Sequence, residues 1–146
     1  MIQYPLRFQV SSKASSGVSS AWTTQASMPS PLACAIPPEF EGPGRGFSPE
    51  DFFALAVANC FIATFKVIAE RSRVEFAAIE VRGDLVVDRD AQGRPWMSEM
   101  KLVVKLDPGS GDPDRLTRLL EKTAQGCLVA NSVKTKVEFR FEVEAA

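Results

Sequence analysis

Over the first ten residues apolar and polar side chains alternate. Ile2, Tyr4, Leu6, Phe8 and Val10 face one way, and Gln3, Arg7 and Gln9 the other. This period of two predicts a strand with one buried face, and Pro5 on the polar face predicts an edge position or a bulge. Ser11 to Ser20 is rich in serine and glycine and reads as a turn or loop. Short strands are predicted around Trp22–Ala26 and Leu32–Ile36, followed by a Pro/Gly-rich connector from Pro37 to Gly46. Ser48-Pro49-Glu50-Asp51 then announces a helix, with serine at the N-cap, proline at the first helical position and carboxylates in the first turn. That helix should run from Pro49 to about Arg71. From Phe52 to Phe65 it is apolar nearly all round, the mark of a central helix covered on most sides.

Ile79, Val81, Leu85 and Val87 return to a period of two, interrupted at Gly83, and Trp96, Met100, Leu102, Val104 and Leu106 continue it. With a turn at Ala91-Gln92-Gly93 the two runs predict a hairpin. Asp112-Pro113 caps a second helix, on which Leu116, Leu119, Leu120, Thr123 and Cys127 form one stripe. A last strand alternates Val137, Phe139, Phe141 and Val143 with Glu138, Arg140, Glu142 and Glu144. Together these elements predict an α+β fold in one domain spanning 1–146, with mainly antiparallel pairing around a long buried helix. One sheet and one amphipathic helix cannot cover that central helix on all sides. The pattern therefore predicts a homodimer.

Composition narrows the chemistry. The 146 residues carry 17 Lys and Arg against 18 Asp and Glu, a net charge of −1, so neither nucleic acid nor an anionic membrane is an expected partner. The longest uncharged apolar run has 14 residues, Phe52 to Phe65, short of a bilayer span. The N-terminal sequence has neither a basic region nor an apolar leader, and predicts a cytoplasmic protein. The decisive count is zero histidines, which excludes histidine bases, Cys–His and Ser–His pairs and nearly all catalytic zinc sites. No cofactor or metal is expected. Three cysteines remain, Cys34, Cys60 and Cys127, with no CxxC spacing. Cys34, between Ala33 and Ala35 in a predicted strand, reads as an inert buried thiol. Cys60 has mostly small neighbours one turn away (Ala56, Val57, Ala63, Thr64), so something packs closely there. Cys127 lies on the core-facing stripe of the second helix, and two such cysteines reach disulfide distance if the helices pack. On spacing alone, a redox pair and two merely buried thiols both stay open.

The segment Phe47-Ser48-Pro49-Glu50-Asp51-Phe52-Phe53-Ala54-Leu55-Ala56-Val57-Ala58-Asn59-Cys60-Phe61 resembles the first motif of the OsmC/Ohr family, the osmotically induced and organic-hydroperoxide-resistance proteins. The Ser-Pro-Glu start, the small-residue helix and a cysteine ten residues after Glu50 all match it. Gly126-Cys127-Leu128-Val129-Ala130-Asn131-Ser132 is similar to the second cysteine motif, with Leu128 where the family has proline. The resemblance covers the chain from about Leu32 to its end. It implies an OsmC-like α+β subunit whose sheets wrap two central helices in an intertwined homodimer. The activity it implies is a thiol-dependent peroxidase for organic hydroperoxides: Cys60 attacks, Cys127 resolves, and a dithiol reductant of lipoyl type or similar resets the pair. Family members with developed activity carry an arginine in the loop that corresponds here to Ser11–Gly17, and this loop has none. Lys13, Arg7 and Arg45 are the substitutes, with Arg45 preferred because it lies five residues before Glu50, the residue that would orient the cation. Along a helix Glu50 and Cys60 stand about 15 Å apart and about 80° around, so their partnership requires Glu50 of one subunit to face Cys60 of the other. Two other readings stay open. One is an acyl thioesterase of hot-dog type using Glu50 or Asp51 as base; the other is a non-catalytic OsmC-fold protein that binds a small hydrophobic ligand.

Overall fold

The structure is a computed structural model describing residues 9, 11–13, 22–26 and 30–145. Most of the predicted first strand, Ile2 to Val10, therefore lies outside the described residues, as do Arg7 and the loop from Ala14 to Ala21. The chain divides into two compact units between Phe52 and Phe53.

In the first unit β1 (Ser11–Lys13), β2 (Trp22–Gln25) and β3 (Leu32–Cys34) form a three-stranded antiparallel sheet. Ser11–Lys13 corrects the expected loop: these residues pair with Thr23–Gln25, because a main-chain ladder accepts serine where a partner strand is in register. The connector after β3 holds a short 3₁₀ turn, Pro38–Phe40, and returns alongside the strand. Phe47 donates its N–H to the Ala33 carbonyl and accepts that of Ala35. A Cβ on Gly46 would fall 2.9 Å from the Cys34 carbonyl carbon, so only glycine lets the two backbones approach this closely.

The long helix α1 (Pro49–Arg71) begins where the sequence predicts. Ser48 Oγ accepts from the Asp51 N–H at 3.0 Å while Asp51 Oδ2 accepts from the Ser48 N–H at 2.9 Å, a reciprocal capping box. Phe47 stacks on Phe52 with ring centroids 5.4 Å apart, stapling the chain across the cap.

In the second unit α1 lies on a sheet of β4 (Ala78–Arg89), β5 (Pro95–Asp107) and β6 (Lys136–Val143), in that order. β4 and β5 are the predicted antiparallel hairpin, with a bulge between Val86 and Val87. Gly83 breaks the alternation because Met100 covers it: a Cβ there would meet Met100 Cε at 2.5 Å. The last strand is the exception to the mainly antiparallel pairing and runs parallel to β5. Its cause is connectivity: α2 (Pro113–Gly126) intervenes between β5 and β6 and carries the chain back to the same end of the sheet. Asp112 caps α2 by accepting from the Asp114 N–H at 3.0 Å. The core is made by Phe61, Phe65 and Ala69 of α1, Val104 and Leu106 of β5, and Leu116 and Leu120 of α2, with Phe61 set 4.9 Å from Phe139.

α1 buries a single stripe, Val57, Phe61, Phe65 and Ala69, spaced four apart. On its other side Leu55 and Val67 are 43% and 45% exposed, so the second unit leaves part of the apolar helix open among the described residues. By length and composition alone α1 also suffices to cross a membrane, which corrects the expectation drawn from its 14-residue uncharged run. Beyond Phe65 only Lys66 interrupts the apolar sequence before Glu70.

Candidate functional site

Cys60 sits midway along α1, half-buried at the margin of the core. Cys127 is fully buried and lies one residue past α2, not on it. Its extended conformation (φ −68°, ψ 107°) turns the chain off the helix axis. The turn is then closed by the Asn131 N–H donating to the Cys127 carbonyl at 3.0 Å and the Ser132 hydroxyl donating to the Leu128 carbonyl at 2.7 Å. This geometry brings the two sulfurs close enough for each thiol to shift the other's ionisation. The Val129 N–H also donates to Cys60 Sγ, at 3.5 Å, and Thr64 Oγ1 lies 3.9 Å from it. Both thiols are free.

The same contacts separate the two titrations. Burial acts to push the Cys60 thiol up. The Val129 N–H, the Cys127 thiol, the Thr64 hydroxyl and, more weakly, the Leu128 N–H outweigh it and bring Cys60 below the ordinary thiol value. Cys127 moves the other way: burial raises it, the Ala130 N–H opposes the rise, and the neighbouring Cys60 sulfur adds to it. One thiol is poised to ionise and its neighbour to stay protonated. That is the asymmetry a nucleophile and its resolving partner require.

Cys34 is buried, its thiol donates to the Leu32 carbonyl at 3.7 Å, and burial raises its pKa. In the first unit, Glu50 lines an apolar pocket of about 280 Å³ with Ile36, Pro37, Phe40 and Pro49. Its Oε2 is buried without a hydrogen-bond partner among the described residues. Arg45 is exposed in a left-handed conformation (φ 64°) and forms no ion pair with Glu50 among the described residues. No cluster of metal-ligating side chains occurs among the described residues.

Sequence reasoning finds both sulfurs but misses the main chain between them. Neither the Val129 nor the Leu128 N–H has a side-chain signature. The available signal is a helix ending at a buried cysteine, which frees the next N–H groups from the helical ladder.

A long helix on a β4–β5–β6 sheet, with one cysteine on that helix and a second beyond α2, defines an OsmC-like protein. Residues 42–142 match the family described as OsmC-like protein, and the chain belongs to that family. It is similar to the uncharacterized protein YmaD of Bacillus subtilis (strain 168), 26% identical over 112 residues, which cover 74% of each chain. Among solved structures it is similar to an OsmC-like protein of unknown function from Vibrio cholerae (TM-score 0.79, 18% identity, 92% of this chain and 99% of that one). It is likewise similar to an organic hydroperoxide resistance protein OsmC from Legionella pneumophila (TM-score 0.73, 17% identity, 98% and 100%).

Proposed function

We propose that this protein is a thiol-dependent peroxidase that reduces organic hydroperoxides in oxidative-stress defence. The observation that carries the reading is the contact between two free thiols with opposed ionisation, Cys60 lowered and Cys127 raised. The Cys60 thiolate attacks the terminal peroxide oxygen. The S–O bond forms, the O–O bond breaks, and the alkoxide leaves and takes a proton to become the alcohol. The sulfenic acid then condenses with the Cys127 thiol, forming the disulfide and releasing water. A dithiol reductant restores both thiols and is itself oxidised to a disulfide. Arg45 is assigned the place of the family's missing arginine, and Glu50 is assigned to orienting it. The apolar face of α1 is assigned to a homodimer contact, and the reducing cytoplasm keeps the resting thiols free.

Consumption of cumene hydroperoxide with a dithiol as reductant tests the activity. Wild type turns over, and Cys60→Ser does not. A Cys60→Ser protein as active as wild type overturns the reading. The pocket at Glu50 favours the second reading, a protein that binds a small hydrophobic ligand without turnover. A wild type that binds such a ligand and leaves peroxide untouched supports that reading instead.

A further inference from the structure

A thiolate at neutral pH needs something to hold it, and within its own unit every group that acts on the Cys60 sulfur is neutral. We propose that the turn after Cys127 does the work of a side-chain cation at Cys60: the main-chain N–H of Val129, joined by that of Leu128, holds the thiolate. The inference rests on the peroxidase reading for its purpose, but on geometry for its substance.

The Val129 N–H reaches across 69 positions of sequence to Cys60 Sγ at 3.5 Å. The turn that aims it is fixed at both ends. Cys127 leaves the helix in an extended conformation, and the Asn131 and Ser132 N–H groups close back onto the carbonyls of Cys127 and Val129, each at 3.0 Å. Successive N–H groups directed at one point make a concave donor site for an anion. Leu128 fits this division of labour: its side chain is 72% exposed, so the position serves the interior through its main chain. Around the sulfur the remaining surface is apolar, formed by the core residues of α1, β5 and α2. The titratable group that acts on Cys60 is Cys127 itself.

Removing one N–H at a time tests this. Val129 has φ −67°, the angle proline imposes, so Val129→Pro deletes the donor at little backbone cost there, while Val129→Ala keeps it. Leu128→Pro is the second deletion, since the preceding Cys127 is already in the extended region that proline requires. The readout is the pH midpoint of iodoacetamide alkylation at the Cys60 peptide, in the full-length protein and with no peroxide present. Val129→Pro should raise that midpoint by about one pH unit, the size of one hydrogen bond to a charged group, and Val129→Ala should leave it in place. If Val129→Pro does not fold, Leu128→Pro should give a smaller rise. The wild-type midpoint should also hold when ionic strength is raised to about 1 M, where a cation–thiolate pair is screened.

A folded Val129→Pro protein with an unmoved midpoint overturns the proposal, and so does a wild-type midpoint that climbs with salt. A shifted midpoint in a protein that never consumes peroxide leaves the amide turn standing and removes the peroxidase. Peroxide consumption with an unmoved midpoint does the reverse.

Discussion

Three cysteines from three different elements of the sequence end in three chemical states. Cys34 is sealed against its own strand, Cys127 is buried and held protonated, and Cys60 alone combines partial exposure with donors aimed at its sulfur. Limited alkylation with iodoacetamide, mapped by mass spectrometry, should therefore mark Cys60 first and Cys34 last; preferential labelling of Cys34 contradicts the assignment. The same states set a pH profile. Because the Cys60 pKa is lowered, the thiolate fraction climbs with pH through a midpoint below the ordinary thiol value, so the peroxidase rate should show its midpoint there too. A midpoint at or above the ordinary value contradicts the ionisation state. Arg45→Ala should lower the rate without unfolding the protein, and an unchanged rate removes Arg45 from the site.

Helices and strands were legible in proportion to how strongly their periods show. The capping residues at Ser48 and Asp112, the hairpin and the final alternating strand are local signals, and they hold. The parallel β5–β6 pairing was not legible, since strand alternation says which face is buried and nothing of direction. Likewise the apolar stripe carries Cys127 onto α2 by spacing, whereas its backbone turns away one residue earlier. Two elements give stability tests. Phe61→Ala removes a fully buried ring packed on Phe139 and Phe141 and should cost about 3–5 kcal/mol in denaturant unfolding. Ser48→Ala removes one half of the capping box at α1 and should cost about 1 kcal/mol. A loss from Ser48→Ala larger than that from Phe61→Ala would reverse the assigned weights of cap and core.

On the scale of the whole molecule, the apolar side of α1 is the unfinished part of the chain. Leu55 and Val67 are large and open, two turns or more apart on the longest helix, beside the smaller Ala56 and Ala63. A second copy of the chain is the proposed cover, since a two-fold axis would set this face against its own match. Sedimentation should therefore give a dimer for wild type and a folded monomer for Leu55→Glu; a wild-type monomer contradicts it. The sequence pattern predicts that partner, because one sheet and one amphipathic helix do not suffice to cover so apolar a segment.

The proposed redox pairing of Cys60 with Cys127 is tested most directly by counting thiols before and after one equivalent of cumene hydroperoxide, with any disulfide located by peptide mapping. The proposed chemistry predicts the loss of two thiols per chain and one intrachain Cys60–Cys127 bridge. An unchanged thiol count, or a bridge that links two chains, contradicts it.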